Sequence, residues 1–206
     1  MELDSILKRA PVIPVLTVEQ LADAVPIAEA LVAGGLPVIE VTLRTAIALE
    51  AIDAMRAVPG ALVGAGTVLT CRDLDAALAA GAAFIVSPGL TERLAKTARD
   101  REIPFLPGVA TASEIMAGLD LGLDRFKFFP AEAVGGLSLL SALAAPFRQV
   151  RFCPTGGIRA DTAAAWLAHP AVLCVGGSWL VPPGPVEPDS IRAAARAAAA
   201  LRHNCG

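Results

Sequence analysis

Along this chain, short runs of β-branched and aromatic residues alternate with Ala- and Leu-rich stretches whose apolar positions recur at helical spacing. The strand-like runs are Pro11–Leu16, Pro37–Thr42, Ala61–Ala65, Ala83–Ser87, Ile103–Pro107, Arg125–Phe129, Val150–Pro154 and Ala171–Val175, eight in all. A helical segment follows each. The first puts Val18, Leu21, Val25, Ala28, Leu31 and Val32 on one face, with Thr17-Val-Glu-Gln20 as a capping box and Gly34-Gly35 as its stop. A second capping box, Thr111-Ala-Ser-Glu114, opens the fifth helix.

Eight strand–helix repeats in 206 residues predict an α/β fold, a compact (β/α)8 TIM barrel forming a single domain over residues 1–206. Glu2–Arg9 reads as a short N-terminal helix plugging one end of the barrel. Pro182–Pro188 reads as a loop before an Ala-rich final helix. An open doubly wound sheet is the structural alternative. It requires a Gly-rich phosphate loop after the first strand, and Thr17-Val-Glu-Gln20 supplies none. Gly64-Ala-Gly66 lacks the third glycine and follows the third strand.

Composition narrows the class. A formal charge of -3 without a long basic run speaks against nucleic acid as a partner. No run of about 18 strongly apolar residues marks a membrane-spanning helix. The opening residues mix acids with a short apolar segment broken by Pro11 and Pro14, unlike a secretory signal, so the cytoplasm is expected. Cys71, Cys153, Cys174 and Cys205 are scattered, with no C-x-x-C pair. Cys153 and Cys174 fall in apolar strand-like runs, where a thiol acts as a small hydrophobe. His169 and His203 lie far apart, and no carboxylate cluster asks for a divalent cation. The sequence therefore implies neither metal nor cofactor.

The informative polar residues lie inside apolar strands. In Arg125-Phe-Lys-Phe-Phe129, alternation puts Lys127 and Phe129 on one face and Phe126 and Phe128 on the other. If the phenylalanines pack against helices, Lys127 points into the barrel. Burial disfavours an ammonium, and a neutral amine can attack a ketone. A lone strand lysine is more often structural, either snorkelling or ion-paired. Glu40 shifts that balance, because alternation in Pro37-Val-Ile-Glu-Val-Thr42 aims it inward too, as a proton shuttle beside an amine. Arg44, just past that strand, can grip a carboxylate bidentately, and Thr67 can add a hydroxyl to the same group. Their bland readings are an exposed arginine and a helix cap. Arg151 reads as structural. Gly-Gly pairs end the last two strands, in Phe152-Cys-Pro-Thr-Gly-Gly-Ile158 and Cys174-Val-Gly-Gly-Ser-Trp179. There, backbone amides, the Thr155 and Ser178 hydroxyls and a helix starting after Ser178 would cradle a phosphate.

Glu40-Val-Thr-Leu-Arg44, Gly64-Ala-Gly-Thr67, Ser87-Pro-Gly89, Phe126-Lys-Phe-Phe-Pro-Ala-Glu132 and Pro154-Thr-Gly-Gly157, in this order, closely resemble the 2-keto-3-deoxy-6-phosphogluconate (KDPG) aldolase family. The resemblance runs from about Pro11 to Val181. It implies a class I aldolase, a homotrimer, that splits a phosphorylated keto acid into pyruvate and glyceraldehyde 3-phosphate. By the same resemblance Lys127 is the Schiff-base lysine and Glu40 the general acid/base. Arg44 and Thr67 take the pyruvate carboxylate, and Pro88 and Phe129 wall the pocket. Thr155, Gly156, Gly157, Gly177 and Ser178 match the phosphate site. Val134 stands where the pattern has a polar residue. Four other readings stay open: a 4-hydroxy-2-oxoglutarate aldolase, a 6-phosphogalactonate-type aldolase, a sugar-phosphate isomerase or epimerase, and a sugar-phosphate sensor with a static Lys127–Glu40 pair.

Overall fold

The protein is described by a computed structural model covering residues 2–201, so His203 and Cys205 lie outside the described residues. Nine strands alternate with nine helices among those residues. The strands are β1 (Val12–Leu16), β2 (Val38–Thr42), β3 (Leu62–Gly66), β4 (Ile85–Val86), β5 (Phe105–Leu106), β6 (Gly108–Val109), β7 (Arg125–Phe128), β8 (Arg151–Pro154) and β9 (Val175–Gly177). The helices are α1 (Leu3–Leu7), α2 (Leu21–Ala33), α3 (Ala48–Arg56), α4 (Cys71–Ala79), α5 (Glu92–Asp100), α6 (Ala112–Asp120), α7 (Gly136–Ala144), α8 (Ala163–Leu167) and α9 (Pro188–Ala199).

Every registered strand pair is parallel. One sheet runs β5-β4-β3-β2-β1-β9 and the other β6-β7-β8. This is an α/β fold on a curled parallel sheet. Where the sequence pattern predicts a single ring of eight strands, the ladder divides in two, for identifiable reasons. Pro107 has no amide proton and interrupts the fifth strand, which becomes β5 and β6. The last strand pairs over Val175–Gly177 rather than Ala171–Val175. It meets the β8 segment only at two isolated bridges, Phe152–Val172 and Thr155–Gly176.

Strand alternation sorts the side chains into two cores. Ile39, Val41, Val63, Ala65, Ile85, Phe126, Phe128 and Phe152 face the helices. Ile13, Val38, Phe84, Val86, Leu106, Cys153 and Cys174 face inward and pack on Ile6 and Leu7 of α1. The short N-terminal helix is therefore the expected plug. Glycine makes room in this narrow interior: a Cβ on Gly64 would sit 2.4 Å from the Phe84 ring.

An ion pair fastens the plug. Arg125 donates Nη2 to Asp4 Oδ2 at 3.2 Å and Nε to Oδ1. That guanidinium holds the Asp4 carboxyl below the usual carboxylate range, against partial desolvation. A lowered folded-state value means the pair's stabilisation is present above the unfolded carboxylate value and is lost as pH falls through the folded one. Asp4→Asn is expected to cost about 1 kcal/mol at pH 7, ~2–4 °C in Tm, after discounting for the pair's partial exposure. The gap to the parent should close below about pH 4. Thermal melts of both proteins across pH 3–7 check this, and a gap independent of pH would assign the loss to packing alone.

Helix boundaries correct one reading. Thr111 caps α6 in a full capping box with Glu114, as the sequence pattern has it. Thr17 does not cap α2. That helix starts at Leu21 behind Gln20, whose side chain makes no cap bond. At the other end Gly34 and Gly35 stop the helix, Gly35 at φ 93°.

Candidate active site

Above the apolar inner layer, the same inward-facing positions turn polar. Glu40, Thr42, Lys127 and Thr155 are 3%, 2%, 5% and 6% exposed. Lys127 is the central inward residue of β7, and its Nζ donates to Glu40 Oε1 from β2 at 2.9 Å. The ammonium also lies 5.4 Å from the Phe129 ring centroid. Gly66 lets Glu40 lie flat against β3, since a Cβ there would come within 2.2 Å of Glu40 Oε1. Glu40 is thus placed to exchange a proton with Lys127 or with a group bound beside it.

A cavity of about 170 Å³ opens above this pair. It gathers Lys127, Glu40, Arg44, Thr67, Pro88, Phe129, Thr155, Gly156, Gly157 and Ser178 from six separate regions of the chain. Of the residues expected at the site, Gly177 is absent from the lining and Gly176 takes its place. Inward alternation through Cys174 selects Gly176. A Cβ there would strike Thr155 Oγ1 at 2.3 Å, whereas one on Gly177 would strike the Trp179 ring at 2.0 Å. No helix starts after Ser178. Trp179 and Leu180 form a turn and α9 begins only at Pro188, so the helix expected directly after Ser178 does not form.

Val15, Thr17, Thr42 and Ile158 also line the cavity. Thr42 was visible on the Glu40 face of β2. Thr17 was hidden by its resemblance to a helix cap. The Thr42 hydroxyl donates to Leu16 O at 2.9 Å, so the Thr17 hydroxyl, 3.0 Å from Thr42 Oγ1, donates to it in turn. This chain ties the rim of β1 to β2. Val15, Thr17 and Ser178 also line a second cavity of about 270 Å³, bounded by Glu19, Asp23 and the Pro182–Gly184 segment.

Thr67 has φ 57°, a left-handed conformation that costs a β-branched residue about 1–3 kcal/mol. The conformation directly follows Gly66, the residue that clears space for Glu40. Gly156 and Gly157 have φ 104° and 82°, the positive-φ region that glycine adopts without steric cost. Neither glycine amide donates a hydrogen bond among the described residues. No three His, Cys, Asp or Glu side chains among them stand together as a metal site.

Comparison with known proteins identifies relatives of the whole chain. The family description "Aldolase: KDPG and KHG aldolase" matches residues 3–196. The 2-dehydro-3-deoxy-phosphogluconate aldolase of Zymomonas mobilis is 59% identical over 201 residues, covering 98% of this chain and 97% of the relative. A crystal structure of the Z. mobilis enzyme with 3-phosphoglycerate superposes with a TM-score of 0.96, covering 98% of this chain and 96% of that one. The KHG/KDPG aldolase of Escherichia coli K12 is 56% identical over 185 residues, 89% of this chain and 87% of the relative. KDPG aldolase from Legionella pneumophila, with pyruvate captured at low pH as a covalent carbinolamine intermediate, is 44% identical with a TM-score of 0.94. It covers 97% of this chain and 99% of that one.

Proposed function

This chain belongs to the KDPG and KHG aldolase family, and from that premise we propose that it is a class I aldolase cleaving KDPG to pyruvate and glyceraldehyde 3-phosphate through an imine on Lys127. The observation that carries the reading is the buried 2.9 Å contact between Lys127 Nζ and Glu40 Oε1 at the floor of the cavity.

The chemistry follows from that pair. With its proton passed to Glu40, the Lys127 amine adds to the C2 ketone to give a carbinolamine, and Glu40 returns that proton to the carbinolamine hydroxyl, which leaves as water to form an iminium. The iminium is an electron sink in conjugation with C3. Glu40, again a carboxylate, takes the C4 hydroxyl proton, the C3–C4 bond breaks, and its electron pair moves into the enamine of pyruvate. Glyceraldehyde 3-phosphate leaves. Glu40 returns a proton to C3, and water hydrolyses the iminium to release pyruvate. Arg44 and Thr67 are proposed to hold the pyruvate carboxylate, with Pro88 and Phe129 flanking the carbon chain. Thr155, Gly156, Gly157 and Ser178, with Gly177 behind them, are proposed to take the phosphate. The paired positive-φ glycines support that assignment.

Incubation with pyruvate and sodium borohydride, followed by peptide mass spectrometry, tests the proposal. A reduced pyruvate adduct on Lys127 is expected. An active, folded protein that forms none would refute the imine and favour an isomerase of sugar phosphates. The same imine would cleave 4-hydroxy-2-oxoglutarate, which lacks a phosphate. The glycine turn supports a higher kcat/KM for the phosphorylated substrate.

We further propose that the sheet operates as one closed (β/α)8 barrel forming a single domain. The shared strand through Pro107 and the bridges Phe152–Val172 and Thr155–Gly176 support that reading. A homotrimer acting in the cytoplasm, in the Entner–Doudoroff pathway, completes the proposal on family grounds. No helix among the described residues is long and apolar enough to cross a membrane.

A further inference from the structure

One charged residue next to the proposed phosphate turn has no part in the chemistry above. Glu132 stands three residues past Phe129 and does not line the cavity. Its backbone amide donates to Gly156 O at 3.0 Å, beside the bond from Ala131 N to Thr155 O at 2.8 Å. Its stem fills the space over Gly157, where a Cβ would come within 2.8 Å of Glu132 Cβ and Cγ. Its Oε1 accepts a hydrogen bond from Trp166 Nε1 on α8 at 3.0 Å. Trp166 is itself 1% exposed, and its ring lies 6.2 Å from that of Phe128, the neighbour of Lys127.

A carboxylate this close to a phosphate turn works against anion binding unless its position returns more than its charge costs. The contacts say what it returns. The two glycines lack side chains that could fix their own backbone, and left-handed glycine is the most mobile backbone available. Glu132 holds that turn from above through its amide and from the side through its stem. Trp166, buried in the outer core, fixes the Glu132 carboxylate.

We propose that Glu132 is a positioning residue for phosphate: anchored by Trp166, it sets where the Gly156 and Gly157 amides stand. This rests on the aldolase reading. The role requires an acceptor for the indole N–H and the length of the side chain, and it does not require negative charge. Glutamine should therefore substitute for it, whereas alanine should not.

The test compares Glu132→Ala, Glu132→Gln and Trp166→Phe with the parent protein. The readouts are the KM for KDPG, inhibition by inorganic phosphate, and borohydride trapping of pyruvate, which carries no phosphate. Glu132→Ala is expected to raise the KM and the phosphate inhibition constant together, about tenfold. Its kcat should stay within about twofold, with pyruvate trapping unchanged. Glu132→Gln should behave like the parent. Trp166→Phe should reproduce the alanine phenotype, and the double variant should add little to either single one. Equal losses with KDPG and with pyruvate would show general damage and overturn the proposal. So would an unchanged KM in Glu132→Ala, or a glutamine variant no better than alanine. If the parent neither traps pyruvate nor cleaves KDPG, the aldolase reading itself fails. If it does both and Glu132→Ala matches it, only the positioning role fails.

Discussion

Lys127→Arg is expected to lower kcat/KM for KDPG by at least about 10⁴-fold, roughly 5.5 kcal/mol of transition-state stabilisation, and to abolish borohydride trapping of pyruvate. Arginine is the informative replacement because it separates charge from chemistry. It can keep the ion pair with Glu40, which is 3% exposed and would otherwise be left as a buried carboxylate without its cation. Removing one member of such a pair costs about 3–5 kcal/mol, so Lys127→Ala risks confusing loss of fold with loss of function. A guanidinium, however, stays protonated and forms no imine with a ketone. If the pair were only structural, the arginine variant would retain most of the activity. Steady-state rates alongside a thermal melt decide between the two.

Glu40→Gln should slow turnover by about 10²–10³-fold, the range of a positioned acid or base. Both proton transfers of cleavage are assigned to this one carboxylate: removal from the C4 hydroxyl oxygen and return to carbon C3. The exchange of pyruvate methyl protons with solvent, which needs the enamine but no aldehyde, should therefore fall in parallel with KDPG cleavage. Pyruvate should still be trapped on Lys127 over long incubation, because the glutamine amide can accept from Nζ where Oε1 does at 2.9 Å. Unchanged turnover and unchanged proton exchange would make Glu40 a static counter-ion.

Both residues were legible in the sequence because strand alternation is a strict code. A charge with an apolar residue immediately on each side can face only inward once Phe126 and Phe128, or Ile39 and Val41, take the outer face. The plug was legible for a similar reason, since Ile6 and Leu7 need a core and the inner face of the curled sheet offers one. Legibility failed where short polar residues have several uses. Thr17 satisfies a capping pattern locally, but its hydroxyl serves Thr42, 25 residues away, a contact no local pattern reports. The helix read after Ser178 failed because Pro182 and Pro183 follow too soon for it to form. Gly177 came with the resemblance, whereas strand phase counted from the inward Cys174 puts Gly176 on the cavity side. Glu132 closes the Phe126–Glu132 motif, but nothing in the sequence attaches a role to it. Its partners, Gly156 and Trp166, meet it only through the fold.

The parallel sheet also sets an order of events during synthesis. β1 finds one neighbour, β2, soon after it emerges, but its other neighbour, β9, spans Val175–Gly177. The plug waits on the same delay, because Asp4 is tied to Arg125, 121 positions further along the chain. At ~5–20 residues per second, an edge of β1 and the apolar face of α1 stay without their final partners for about ten seconds or more on the ribosome. The waiting edge is short: only Val12–Pro14 pair with β9, a three-residue ladder that offers a stray strand little to bind. The nascent chain thus carries its own guard against mispairing at the seam that is completed last.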